Sequence, residues 1–121
     1  MSYVDGYLLA IKKKNLKAYK ALAKVAGRIW REHGAQKYME CAGEDLDLPA
    51  GCGTSYLKLL KCRKDETVIF AFVVYPSRAA RDRINAKVMN DPRLAASMMG
   101  RKCPFDVRRM SVGGFAAIVE R

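Results

Sequence analysis

His33 is the only histidine in the sequence, which makes it the first candidate for proton transfer near neutral pH. It stands where an apolar helical stripe ends and just before Gly34. There it also has a plain structural use, because a protonated imidazole meets the negative end of a helix dipole favourably. That structural use is the preferred reading. Glu40, Asp45, Asp47 and Asp106 are the nearby carboxylates, and none has a second acid or a histidine at a spacing diagnostic of paired acid/base work. Glu40 reads as an exposed strand residue in preference to a buried acid. For a cofactor-free enzyme, His33, Glu40 and Asp106 are the residues to test first. Cys41, Cys52, Cys62 and Cys103 contain no C-x-x-C pair, and one histidine completes no metal set, so free thiols without metal or cofactor are expected. Phosphate-loop, dinucleotide, nucleophile-elbow and zinc-protease signatures do not occur.

A second constellation is electrostatic. The net charge is +11, and Lys17, Lys20, Lys24, Arg28 and Arg31 recur at helical steps of three and four, entered through Lys12, Lys13 and Lys14. Glu32 is the only acid in that stretch. Such a face contacts nucleic-acid phosphates or serves as a solvated exterior, and the solvated exterior is preferred, with nucleic acid as the minority reading. The run Val68–Tyr75 partly fits an RNA-recognition strand through Phe70, Ala71, Phe72, Val73 and Tyr75. The Lys/Arg and Gly of that signature are replaced by Val68 and Ile69.

These residues need elements to position them. Tyr3–Ile11 reads as a strand. A helix follows from an Asn15 cap, with Leu16, Tyr19, Ala23, Ala26 and Trp30 on its apolar stripe, and Gly34 ends it. Gln36–Gly43 reads as a second strand with Tyr38, Glu40 and Ala42 on one side. A Gly/Pro/Asp loop covers 44–54, and Tyr56–Cys62 is open between helix and strand. Thr67–Tyr75 is the clearest strand, ended by Pro76. A helix capped by Ser77 runs to about Asp91, with Arg78 and Asp82 spaced to pair. Leu94–Phe105 reads as irregular or partly helical, and Arg109–Val119 as a last strand interrupted by Gly113 and Gly114. The order is β-α-β-β-α-β, a ferredoxin-like α+β antiparallel sheet with two helices on one face, in a single domain over 1–121.

Strand parity then sets the partner. In Val68–Tyr75 the set Val68, Phe70, Phe72 and Val74 is as apolar as Ile69, Ala71, Val73 and Tyr75. Two helices cover one face, so the other needs a cover, and a second copy of the chain is the economical one. Residues 92–107 folding back over it are the alternative. No apolar run is long enough to span a membrane, and the N-terminal order of charge and apolar residues is opposite to a signal peptide, so the expected location is cytoplasmic.

Several blocks together resemble the YbaA-like bacterial family of unknown function: Met1–Tyr7, Glu32-His33-Gly34-Ala35, Glu40-Cys41, Val74-Tyr75-Pro76-Ser77, Asn85–Met89 with Asp91-Pro92-Arg93, Pro104-Phe105-Asp106, and Arg109-Met110 with Gly113-Gly114-Phe115. The resemblance implies a ferredoxin-like fold of the dimeric α/β-barrel superfamily, whose members include small monooxygenases and ligand-binding proteins. It carries over no activity. It implies a small molecule held between sheet and helices, for which Tyr38, Glu40, Phe105 and Arg109 are the expected contacts. Ala42 stands where the family pattern has Trp, and Val107 where Gly follows Phe-Asp. The overall expectation is a homodimeric, small-molecule-binding or non-catalytic barrel protein. A cofactor-free enzyme and an RNA-binding helix face are the alternatives.

Overall fold

The computed structural model describes Met1–Arg121. Its strands are β1 (Tyr3–Lys12), β2 (Lys37–Ala42), β3 (Glu66–Tyr75) and β4 (Ser111–Ala116). Its helices are α1 (Leu16–Glu32), α2 (Tyr56–Leu59), α3 (Arg78–Met89) and α4 (Pro92–Met98). The four strands form one antiparallel sheet in the order β2-β3-β1-β4. β1 and β2 are separated by β3, which is the ferredoxin-like arrangement expected from the element order.

The register fixes the faces. Tyr7 lies opposite Ala71, and Ala71 opposite Glu40, so Asp5, Tyr7, Leu9 and Ile11 share a face with Ile69, Ala71, Val73, Tyr75, Tyr38 and Glu40. α1 and α3 pack on this inner face. Ile29, Val73, Tyr75, Ala80, Ile84 and Val88 bury one part of the core, and Leu9, Ile11, Tyr19, Ile69 and Ala71 another. Phe105 and Met110 pack against the second part. Residues 92–107 therefore serve the inner face and do not fold over the outer one.

The outer face carries Val4, Leu8, Met39, Cys41, Phe70, Phe72, Val74 and Phe115. Leu46 and Tyr56, from the loop and short helix after β2, close over one end of it around Val68 and Phe70. Phe70 remains 43% exposed and Phe115 61%. At the β1–β4 seam, Gly6 and Gly113 lie opposite each other, and the Phe115 ring rests over the pair, where a Cβ on Gly6 would come within 3.3 Å of it.

Several element boundaries differ from the sequence reading. Pro92, expected only to stop the helix before it, also opens α4: Asp91 caps the new helix by accepting from the Arg93 amide, and proline at the first position has no N–H to satisfy. The segment 56–62 forms a single helical turn, capped by Ser55. The last strand ends at Ala116, and Gly113-Gly114 do not break it. Gly114 admits a close approach, since a Cβ there would crowd the outer end of the Tyr3 ring. Asn15 precedes α1 but does not cap it; its Nδ2 donates to the Pro104 carbonyl at 3.1 Å and ties the C-terminal segment to the helix start. Gly34 takes the expected left-handed backbone, with φ 118°. Asp82 pairs with Arg81, not Arg78, at 2.8 Å.

Candidate functional site

Glu40 points inward from edge strand β2, contrary to the exposed reading. The reason lies in register: β2 pairs with β3 so that Tyr38, Glu40 and Ala42 fall on the helix-bearing face. The carboxylate is held by two phenols, one from each wall. The Tyr19 hydroxyl on α1 donates to Oε1 at 2.6 Å, and the Tyr38 hydroxyl on β2 donates to Oε2 at 2.5 Å. Both tyrosines are pushed well above the usual phenol range, first by burial and further by the adjacent Glu40 charge. They therefore stay protonated as donors. Tyr7 is pushed up to about 12, first by burial and then by Asp5. Gly27 makes room for this arrangement: a Cβ there would lie 2.8 Å from the Tyr38 ring.

This bridge stands between two hollows. On the inner side is a cavity of about 240 Å³ between sheet and helices, lined by Tyr7, Trp30, Leu94, Met98, Phe105 and Met110 among others. Tyr19, Tyr38 and Glu40 also line it, and Glu40 is its only ionisable carboxylate among mostly apolar walls. On the outer side is a cleft of about 600 Å³ between α1 and β2, with Lys20, Lys24, Arg28 and Arg31 on its rim. Lys17 is exposed on the same helix.

The structure thus brings Tyr38, Glu40 and Phe105 to one cavity; Phe105 meets the Tyr19 ring edge-on at 5.6 Å. The other expected site residues lie elsewhere. Arg109 donates to both oxygens of buried Glu66, at 2.6 and 3.0 Å, and to the Leu60 and Lys61 carbonyls. Asp106 caps a short turn through the Arg108 amide and pairs with the Arg108 side chain. His33 ends α1, and its Nε2 donates to Asp91 at 2.8 Å. Asp91 also receives Arg93, which reaches Glu32 at 2.6 Å, so this network joins the end of α1 to the α3–α4 corner.

Besides Glu66, a second buried acid escaped the sequence reading. Asp5 is 2% exposed on the inner face and accepts from Arg81 at 2.8 Å and Asn85 at 3.2 Å. Asn85 Oδ1 in turn accepts from the Tyr75 hydroxyl at 2.8 Å and from Trp30 Nε1 at 3.1 Å. The available signal was an acid at an inward position of β1, between Tyr3 and Tyr7.

Residues 2–107 match the family described as a protein of unknown function, DUF1428. The chain belongs to the DUF1428 family. A DUF1428 relative in Escherichia coli K12, the uncharacterized protein YbaA, is 37% identical over 120 residues, spanning 99% of each chain. Among solved structures, the chain is similar to SnoaB, a cofactor-independent oxygenase from Streptomyces nogalater, with TM-score 0.58 and 12% identity over 98% of this chain and 95% of that one. It is also similar to a dimeric ferredoxin-like protein from an uncultured marine organism, with TM-score 0.57, 10% identity and full coverage of both chains. At these identities the two structures establish the ferredoxin-like α+β fold that this DUF1428 chain shares. No helix is long and apolar enough to cross a membrane.

Proposed function

We propose that this DUF1428 protein is a homodimer that holds a small, largely apolar molecule in the inner cavity. The carrying observation is the cavity itself: mostly apolar walls that include one carboxylate and the two phenols that hold it. A cavity of about 150 Å³ accepts benzene, so about 240 Å³ suits a molecule of roughly one to two rings. The phenols and Glu40 supply the few convergent polar groups that orient such a ligand. The dimer is supported by the outer sheet face, where Met39, Phe70 and Phe115 are exposed together, and by the dimeric state of a protein of the same fold.

Native mass spectrometry of the purified protein tests both parts. The expected spectrum shows twice 13.6 kDa plus a small adduct, or gains one on adding two-ring compounds that carry a hydroxyl to donate to Glu40. Val107→Trp narrows the cavity from its exposed rim and should remove the adduct. A monomer, or adducts that survive this substitution, would refute the reading.

A cofactor-free enzyme is the second reading, and Glu40 alone favours it. Its carboxylate faces an apolar cavity with its orientation fixed, as a general base requires. His33 and Asp106 are engaged outside that cavity. If this reading holds, Glu40→Gln abolishes turnover of a bound ligand while leaving its binding within a few-fold.

A further inference from the structure

We propose that the outer cleft between α1 and β2 is a separate binding site for an amphipathic anion: an aliphatic or flat apolar body carrying one carboxylate, sulfonate or phosphate. Its floor is apolar, formed by Leu16, Ala23, Ala42 and Ile69. Its rim is cationic, formed by Lys20, Lys24 and Arg28 on successive turns of α1. None of these three cations takes part in an ion pair. Glu32, the only acid of α1, is engaged by Arg93. Arg31 is tied to the Gln36 carbonyl and anchors the end of the rim. The one carboxylate in the cleft wall is Glu40, and both its oxygens are taken by Tyr19 and Tyr38. The cleft therefore presents three unpaired cations over apolar surface against one carboxylate, which the two phenols hold in the wall away from the rim.

That combination discriminates against a nucleic acid. A strand of RNA calls for stacking aromatics alongside its phosphate contacts. The aromatics of the cleft, Tyr19 and Tyr38, are buried or half-buried and turned to Glu40, while the exposed Phe70 and Phe115 lie on the opposite face of the sheet from the α1 cations. A short-chain carboxylate matches both surfaces of the cleft: its chain covers the floor and its head reaches the rim. The site stands whether or not the inner cavity is filled, because the Tyr19–Glu40–Tyr38 bridge lies between the two.

Titration with decanoate and decanol, followed by backbone amide shifts, tests the proposal. Decanoate should bind more tightly than decanol and shift amides of Leu16–Arg28 and Glu40–Ala42. The K20Q/K24Q/R28Q variant changes only exposed side chains, and should weaken decanoate at least tenfold while leaving decanol unchanged. Val107→Trp, which narrows the inner cavity, should leave decanoate binding intact. Equal affinity for acid and alcohol, indifference to the charge variant, or loss on Val107→Trp would each overturn the proposal. So would binding of a twelve-nucleotide RNA at 0.15 M salt that needs these cations while decanoate fails to bind.

Discussion

Glu66 and the buried tyrosines set the pH limits of the fold at the scale of single residues. Glu66 is held at about 2, below its ordinary 4.5, chiefly by the hydrogen bonds from Arg109. A depressed carboxyl contributes stability that is present above 4.5 and is lost as pH falls from there toward 2. Glu66→Gln should cost about 2–3 kcal/mol in urea at neutral pH, since it leaves Arg109 without its charge partner, and should flatten the acid limb of the stability profile. At the alkaline end the sign reverses. Tyr7 is raised from 10.0 to about 12, so its contribution is complete below pH 10 and fades as pH rises toward 12. Ultraviolet titration should show Tyr7, Tyr19, Tyr38 and Tyr75 ionising only together with alkaline unfolding. Glu40 shows what was legible at this scale. Its alternation with Tyr38 and Ala42 was plain in the sequence, so the three had to share a face. Which face it was depended on pairing with Ala71, and no local pattern states a register. Arg109 was equally opaque, because its partner Glu66 lies 43 positions away.

Elements meet through small residues and caps, and two substitutions probe those joints. In an open helix Gly→Ala stabilises by about 1 kcal/mol. At Gly27 the added methyl would fall 2.8 Å from the Tyr38 ring, so Gly27→Ala should instead cost about 1–2 kcal/mol. Trp30 sits 5.9 Å from the Tyr38 ring centre, and its fluorescence should report the displacement during urea unfolding. Asp91→Ala removes the cap of α4 and the common partner of His33 and Arg93 in one step. It should lower the melting temperature by roughly 5 °C, with the helical signal of α4 lost first. The element order was legible because periodicity and punctuation agree along most of the chain. Pro92 was the exception. Proline after an Asn-Asp pair ends one helix and begins another with the same residue, and only the Asp91 cap tells the second role.

For the whole molecule, parity along β3 was enough to show that two faces needed covering, and the structure leaves one of them bare in the single chain. Phe70→Asp places a charge in the middle of that face. If the outer faces pair as proposed, light scattering finds 13.6 kDa for this variant and twice that mass for the parent protein, with circular dichroism unchanged. A mass that does not change would assign the face another role. The cation-bearing cleft lies on the far side of the sheet, so pairing through the outer faces leaves both copies' clefts open to solvent. The size and lining of the cavity were beyond the sequence, since they arise where the C-terminal segment, through Leu94, Met98 and Phe105, closes against α1 and the sheet.

The strand order has a consequence for synthesis. β1 and β2 emerge first but never touch; each is held by β3, with Leu9 opposite Ile69 and Cys41 opposite Phe70. Until Glu66–Tyr75 has been made, the nascent chain has no sheet, and α1 has no surface for its apolar stripe. Once β3 arrives, β1, β2 and β3 can join together, yet the outer face stays uncovered in the single chain, with Met39 and Phe70 exposed. That apolar face is where a newly made chain is most open to aggregation.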